Sequence, residues 1–182
     1  MKNRAFMRVL SKKISEKRLI FFEQGSILSV NGVKGNGGEP MIGKYSAKLD
    51  EKNRLFVPSK LRGELGENFY VTLGVNCGHR CLTIYTAAEW QTLSDNYNAL
   101  SISQRAGATS LIFMNAAECS PDKQFRFALT PFLLNYAGID REVMIVGRAG
   151  QAEIWDAKEF AAFEEENLTP EKLLASLEAI GL

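Results

Sequence analysis

The feature of this sequence that most limits its fold is a short charged pattern, Asp-x-x-x-Arg, that occurs twice. The two copies occupy residues 50–54 and 122–126, 72 positions apart. Similarity continues downstream, since Ile-Tyr-Thr-Ala-Ala-Glu-Trp at 84–90 corresponds to Ile-Trp-Asp-Ala-Lys-Glu-Phe at 154–160. Repetition at a fixed spacing indicates a duplicated supersecondary unit. A protein built from two such units presents its charged turn twice. This suits binding to a partner with repeated sites better than catalysis at one centre.

Charge is distributed unevenly along the chain, although the 182 residues have a net charge of only +1. Residues 1–40 carry eight Lys and Arg against three acids, whereas residues 41–182 have a net charge of −4. Within the second part, six bases and two acids lie between Lys44 and Arg62. A basic window around a hairpin is a candidate contact for a polyanion, and the alternative is an ordinary solvated turn.

The first 40 residues differ from the rest of the chain because they have no counterpart in the repeat. They are basic, and Asn-Gly-Val-Lys-Gly-Asn-Gly-Gly-Glu-Pro at 31–40 has the composition of a linker. We therefore expect residues 1–40 to form a flexible basic extension. A second hypothesis is that translation starts at Met41 and that this segment is a mis-assigned start.

The sequence predicts a cytoplasmic protein without a membrane span. The apolar runs in residues 1–22 are short and interrupted by charges, unlike a signal sequence or a transmembrane helix. Three cysteines, Cys77, Cys81 and Cys119, without a secretory signal indicate a reducing compartment.

Local patterns predict a similar order of elements in each half. Alternating apolar residues on both sides of Glu51-Lys52-Asn53 indicate a β-hairpin. A short helix over 59–65 is predicted to stop at Gly66, and strands are predicted over 69–73 and 82–85. Further helices are predicted to start at four capping sequences: Thr86 to Glu89, Ser101 to Gln104, Asp156 to Glu159, and Thr169 with Pro170.

The basic residues of the two turns are the candidate ligand contacts: Lys52 and Arg54 in the first turn, Lys123 and Arg126 in the second. A guanidinium is planar, permanently charged and bidentate, which suits a phosphate or the O6 and N7 atoms of guanine. In the alternative interpretation, each aspartate of the repeated pattern pairs with its own arginine and only holds the hairpin. An exposed ion pair contributes only ~0–1 kcal/mol, which explains the duplicated arginines poorly.

Other chemistries have less support in the sequence. Cys77, His79 and Cys81 are potential metal ligands, but a closed zinc site needs a fourth and the chain has one histidine. No nucleophile-elbow or P-loop motif occurs, so we predict no catalytic residue, no cofactor and no metal site. Core packing, rather than base stacking, is the predicted role of the aromatic residues at repeat or strand positions: Phe69, Tyr70, Tyr85, Trp90, Phe113, Trp155 and Phe160.

Taken in order, these residues resemble the MraZ family of bacterial transcriptional regulators. The resemblance covers residues 41 to about 165 and rests on Asp50-Glu-Lys-Asn-Arg54-Leu-Phe-Val-Pro58, Leu65-Gly66, Cys81-Leu-Thr-Ile-Tyr85, Glu89-Trp90, Ala116-Ala117-Glu118, Asp122-Lys-Gln-Phe-Arg126, Tyr136-Ala-Gly138 and Glu153-Ile-Trp155. It implies two AbrB-like (SpoVT/AbrB) swapped-hairpin units per chain and a ring-shaped homo-oligomer. It also implies binding to tandem short repeats in the promoter of the family's own cell-division and cell-wall gene cluster.

The resemblance assigns DNA contact to named positions. Lys52 and Arg54 match the basic positions of the first family motif, and Lys123 and Arg126 match those of the second. The neighbouring bases complete the predicted set of DNA-binding residues: Lys48, Lys60 and Arg62.

Three positions depart from the family pattern. Asn53 and Phe125 replace the glycine expected before each arginine, and Thr130 replaces a proline after the second motif. Because Phe adopts a positive φ poorly, the sequence disfavours this geometry in the second turn and, with it, the same placement of the arginine. If the two halves differ in DNA contact, the first turn is expected to dominate.

The sequence therefore predicts a β-rich α+β protein whose duplicated AbrB-like units form a pseudo-two-fold barrel with peripheral helices. The first repeat is expected over residues 41–110 and the second, with an acidic helical tail, over 111–182. The predicted function is sequence-specific binding of double-stranded promoter DNA by a nucleoid-associated regulator that has no small-molecule substrate. The alternative is an antitoxin-like protein-interaction module.

Overall fold

The structure is a computed structural model, and it describes residues 41–182. These residues contain eight strands and six helices. The predicted extension over residues 1–40 lies outside these described residues. The strands are β1 (Ile42–Lys48), β2 (Arg54–Phe56), β3 (Phe69–Asn76), β4 (His79–Thr86), β5 (Ala117–Cys119), β6 (Arg126–Ala128), β7 (Glu142–Arg148) and β8 (Gln151–Asp156). The helices are α1 (Ser59–Leu65), α2 (Ala87–Ala99), α3 (Ala108–Met114), α4 (Pro131–Ala137), α5 (Ala157–Asn167) and α6 (Pro170–Ala179). The predicted mixed α+β class is confirmed.

The strands form one six-stranded antiparallel sheet and a separate two-stranded ribbon. The sheet has the order β1-β7-β8-β4-β3-β5, and the ribbon consists of β2 and β6. Strands from the two halves of the chain exchange partners, because β1 pairs with β7 and β5 pairs with β3. The edges β1 and β5 do not pair with each other in this sheet, so the predicted barrel stays a prediction.

Equivalent strands of the two halves pair with each other in a symmetric register. In the ribbon Leu55 faces Phe127, with Arg54 opposite Ala128 and Phe56 opposite Arg126. In the sheet Thr83 of β4 faces Glu153 of β8. The two charged turns are therefore brought to neighbouring positions although they are 72 residues apart in sequence.

The core lies between the ribbon, the sheet and the short helices α1 and α4. Leu55 and Phe127 are buried at the centre of the ribbon, and Phe127 contacts Phe69 of β3 edge to face at 4.9 Å between ring centroids. Burial of side chains of this size contributes roughly 1.5–3 kcal/mol each to stability. Cys81 and Cys119 are buried in the protein as well.

Most helix ends follow the predicted capping residues. α1 spans the predicted range and ends before Gly66, which has φ 70°. Thr86 and Glu89 form the predicted reciprocal capping box of α2, and the Asp156 carboxylate accepts two backbone N–H bonds at the start of α5. Thr130, which replaces the expected proline, caps α4 by accepting the Leu133 N–H.

The predicted helix start at Ser101 is wrong. Gln104 Oε1 accepts hydrogen bonds from the Ser101 backbone N–H at 3.1 Å and from its hydroxyl at 2.8 Å, which closes a single turn. Gly107, at φ 66°, then takes the backbone out of the helical region, so α3 begins only at Ala108.

Among residues 41–182, no helix is long and apolar enough to cross a membrane.

Gly147 of β7 lies where the backbone of β1 approaches closely, and this gives a stability prediction. A Cβ on Gly147 would lie 2.6 Å from the Met41 carbonyl carbon and 2.8 Å from the Ile42 nitrogen, both backbone atoms. We expect Gly147→Ala to lower the free energy of unfolding by about 1–3 kcal/mol in urea denaturation, because β1 must move away from β7.

Gly63 in α1 is the control for that measurement. A Cβ there meets nothing within 4 Å, so Gly63→Ala should raise the free energy of unfolding by roughly 0.5–1 kcal/mol. Equal effects of the two substitutions would contradict the close backbone approach at Gly147.

Candidate nucleic-acid interface

The ribbon formed by β2 and β6 has one buried face and one outer face. Successive side chains of a strand point to opposite sides, so burial of Leu55 and Phe127 turns their neighbours outward. The outer face consists of Arg54, Phe56, Arg126 and Ala128. The register places an arginine diagonally at each end of this face.

The turn before β2 is closed by a single carboxylate. Asp50 Oδ1 accepts the backbone N–H groups of Lys52 at 2.8 Å and Arg54 at 2.9 Å, and Asp50 Oδ2 accepts Arg54 Nε–H at 2.7 Å. Asn53 occupies the left-handed position with φ 56°, which its short polar side chain tolerates. The aspartate therefore fixes the turn backbone and the orientation of the arginine together.

The turn before β6 has the same geometry. Asp122 Oδ1 accepts the N–H groups of Gln124 at 2.8 Å and Arg126 at 3.0 Å, while Oδ2 accepts Arg126 Nε–H at 3.0 Å. Phe125 has φ 59°, within a few degrees of Asn53. The predicted distortion of the second turn is therefore wrong, because these bonds and a 2.8 Å bond from Val57 N–H to the Phe125 carbonyl hold the left-handed backbone.

The ion pairs of the alternative interpretation are present in both turns. Hydrogen bonds from the Arg54 side chain and backbone lower the pKa of Asp50 from 3.8 to about 2, and those from Arg126 lower the pKa of Asp122. Arg54 Nη1 also lies 3.8 Å from Asp122 Oδ2, so the first arginine approaches the second turn. Each arginine charge is thus balanced by a carboxylate, and each Asp–Arg pair is close to neutral.

The remaining predicted DNA-binding residues differ in their partners. Lys52, Lys60 and Lys123 are exposed and pair with no carboxylate of residues 41–182, whereas Lys48 binds Glu142 at 2.6 Å. Arg62 donates from Nε to the Val57 carbonyl at 3.0 Å. Among the predicted DNA-binding residues, those without a carboxylate partner in the described part of the chain are therefore Lys52, Lys60, Lys123 and Arg62.

Two aromatic residues at the ribbon were not predicted as part of the site. The Arg62 guanidinium carbon lies 3.8 Å from the ring centroid of Phe125 and 4.8 Å from that of Phe56. No local pattern could have indicated this contact, because Arg62 and Phe125 meet only when β2 pairs with β6.

The alternative metal ligands do not converge. His79 Nδ1 is 2.8 Å from Glu159 and Nε2 is 3.1 Å from Glu166, and these two hydrogen bonds raise the pKa of the imidazole. Cys77 is exposed, while burial raises the pKa of the Cys81 thiol to about 12. Within the described range 41–182, no group of three or more His, Cys, Asp and Glu residues is arranged to hold a metal ion.

Several of the aromatic residues predicted for the core are buried or partly buried. Phe69, Trp155 and Phe160 are buried, which confirms the predicted core role for these three. Trp90 is partly buried and stacks on Tyr70 at 4.9 Å between ring centroids.

Comparison with protein families identifies the chain. Residues 41–111 and 112–174 each match the family model described as "MraZ protein, putative antitoxin-like". The chain belongs to the MraZ family. The two adjacent matches also support the repeat predicted from the doubled Asp-x-x-x-Arg pattern.

Curated members of the MraZ family align with most of this chain. A protein of Caldicellulosiruptor bescii is 35% identical over 145 residues, which cover 78% of this chain and 99% of the relative. A protein of Symbiobacterium thermophilum is 38% identical over 127 residues, covering 69% and 90%. One of Carboxydothermus hydrogenoformans is 40% identical over 116 residues, covering 63% and 79%. All three are named transcriptional regulator MraZ.

The aspartate of the first MraZ motif gives a pH prediction. Because folding lowers the pKa of Asp50, its charge stabilises the protein above pH ~4 and this contribution is lost as pH falls toward about 2. Asp50→Asn keeps a side-chain oxygen for the turn N–H groups but removes the charge. We expect the variant to be less stable than the wild type at pH 7, with a difference that shrinks at acid pH.

Urea denaturation at several pH values measures this difference. Asp50→Ala is the comparison that also removes the oxygen, so it should be destabilised further at every pH. A difference between wild type and Asp50→Asn that stays constant from pH 7 to pH 2 would contradict the ion pair.

Proposed function

We propose that this MraZ-family chain is a sequence-specific DNA-binding transcriptional regulator that reads DNA with the ribbon of β2 and β6. The observation that carries the proposal is the outer face of that ribbon, with Arg54 and Arg126 at its ends and exposed Lys52 and Lys123 in its turns. The major groove of B-DNA is about 12 Å wide and admits a two-stranded β-ribbon. The names of the curated relatives support the same function.

The charges around the ribbon suit two different tasks on DNA. The carboxylate-bound guanidinium groups of Arg54 and Arg126 have fixed orientations, which favours directional contacts with base edges or phosphates. Lys52, Lys60 and Lys123 are exposed and mobile charges, which favours contacts with the phosphate backbone. The chain needs local basicity of this kind because residues 41–182 have a net charge of −4.

The two halves, 41–110 and 111–182, are proposed to be AbrB-like swapped-hairpin units. The reciprocal pairing of β1 with β7 and of β5 with β3 supports exchange of strands between them. From the family resemblance we extend the proposal to tandem repeats in the promoter of the protein's own cell-division and cell-wall gene cluster. A nucleoid-associated protein in the cytoplasm fits this function.

Self-assembly into a ring is the second part of the proposal. Supporting features are the open sheet edges β1 and β5 and the exposed leucines of α6, Leu173, Leu174 and Leu177. Repeated subunits would present many ribbons to tandem DNA sites while the acidic C-terminal residues 156–182 face elsewhere.

Native mass spectrometry tests the assembly. We expect a single closed oligomer of the protein alone and the same oligomer bound to the DNA upstream of its gene. A monomer that stays monomeric at micromolar concentration and on DNA would contradict the ring.

A protein-interaction module remains the second candidate function. The family description includes the term antitoxin-like, and α6 carries an exposed apolar face that a protein partner would cover. Stoichiometric capture of one protein, together with equal binding of promoter and scrambled DNA, would favour this candidate over the first.

Lysine substitutions test DNA binding without disturbing the turns. Lys52 and Lys123 make no side-chain hydrogen bond within residues 41–182, so Lys52→Gln and Lys123→Gln should fold normally. We expect each to weaken binding to the upstream duplex and to reduce the slope of log K against log salt by about 0.9 for each lost phosphate contact. Fluorescence anisotropy over a potassium chloride series measures both quantities.

Lys158→Gln is the matched control, because it removes the same charge from α5, outside the ribbon. Its affinity and salt slope should equal those of the wild type. Equal behaviour of all four proteins, or no preference of the wild type for upstream over scrambled DNA, would contradict the proposed function.

A further inference from the structure

One arginine beside the ribbon is held by aromatic rings instead of a carboxylate. The Arg62 guanidinium lies against Phe125 at 3.8 Å and Phe56 at 4.8 Å, and its Nε–H is bound to the Val57 carbonyl. These contacts join three segments: the helix α1, the strand β2 and the turn before β6. Cation–π contacts of this kind restrict a guanidinium without neutralising its charge.

This arrangement occurs on only one side of the pseudo-symmetric ribbon. The spacing of 72 residues that relates the two turns makes Ala128 the counterpart of Phe56, Leu134 the counterpart of Arg62, and Asn53 the counterpart of Phe125. Leu134 is buried, so the second half places no charge at this position. All three members of the aromatic–arginine contact therefore differ between halves that otherwise repeat their turn geometry.

Core packing does not account for Phe125. Its φ of 59° is a strained conformation for a bulky residue. The ring is 45% exposed and Phe56 is 48% exposed, so neither side chain is buried in the core. A residue that breaks a local conformational rule without gaining core packing is typical of a functional position.

The charge of Arg62 is available to a ligand. Arg54 and Arg126 direct their guanidinium groups to aspartates, whereas Arg62 pairs with no carboxylate in the described range and donates only its Nε–H to a protein acceptor there. Its two terminal nitrogens keep the planar fork that binds phosphate or guanine. We propose that Phe56 and Phe125 position Arg62 as a DNA-contacting arginine at one end of the ribbon. This inference rests on the proposed function.

Phe125→Gly distinguishes a stabilising role of the Phe125 ring from a role in positioning Arg62. Glycine accepts a positive φ, so the variant should unfold at the same temperature as the wild type or higher. Loss of the ring frees the Arg62 side chain, and we expect affinity for the upstream duplex to fall roughly 2- to 30-fold, the range that a cation–π contact supports. Phe125→Tyr keeps the ring and should bind as the wild type does.

A double-mutant cycle tests whether the ring acts through the arginine. Arg62→Ala should weaken binding about tenfold or more, as expected for loss of one bidentate contact. The double variant Phe125→Gly/Arg62→Ala should bind no more weakly than Arg62→Ala alone. Ala149→Gly is the control for the backbone change, because Ala149 also has a positive φ, 47°, but lies in the turn between β7 and β8. It should leave DNA affinity unchanged.

The outcomes separate this inference from the proposed function. Wild-type preference for the upstream duplex, with unchanged affinity of Phe125→Gly, would overturn the positioning role alone. Multiplicative losses in the double variant would overturn it too, because they show that Phe125 acts independently of Arg62. A wild type that binds upstream and scrambled DNA equally would overturn the proposed function and this inference with it.

Discussion

The ribbon depends on one interaction that occurs twice, an aspartate that binds the backbone of its turn and the arginine that follows. Each Oδ1 accepts two N–H groups of the turn, and each Oδ2 accepts the arginine Nε–H. The turn geometry, the start of the strand and the direction of the guanidinium are thus set by a single side chain. Pairing of β2 with β6 then brings two such units together above the buried Leu55 and Phe127.

This interaction also determines where positive charge is available. An arginine that neutralises a neighbouring carboxylate attracts a distant phosphate weakly, although its orientation is well defined. Lysines without a carboxylate partner attract a distant phosphate more strongly, but their ammonium groups have no fixed orientation. Arg62 combines both properties, because aromatic rings restrict its guanidinium and leave its charge intact.

Local features of the fold could be predicted from the sequence, and contacts between the halves could not. The end of α1 at Gly66, the capping box of Thr86 with Glu89 and the Asp–Arg pairs all join residues within one or two turns of chain. The missed helix boundary at Ser101 depended on the backbone conformation of Gly107, which composition alone does not specify. The Arg62–Phe125 contact depends on strand pairing between halves, for which neither segment carries a local pattern.

The second turn keeps the geometry of the first although Phe125 disfavours it, because Asp122 binds the backbone of the turn. Intrinsic preference disfavours Phe at a positive φ, but the cost is met by bonds to neighbouring residues: those of Asp122 and the bond from Val57 N–H to the Phe125 carbonyl. Because those bonds involve no side-chain atom of residue 125, the side chain there can change while the turn stays the same. The position before each arginine is therefore where the two halves can differ in what they present to DNA, and Asn53 and Phe125 differ in this way.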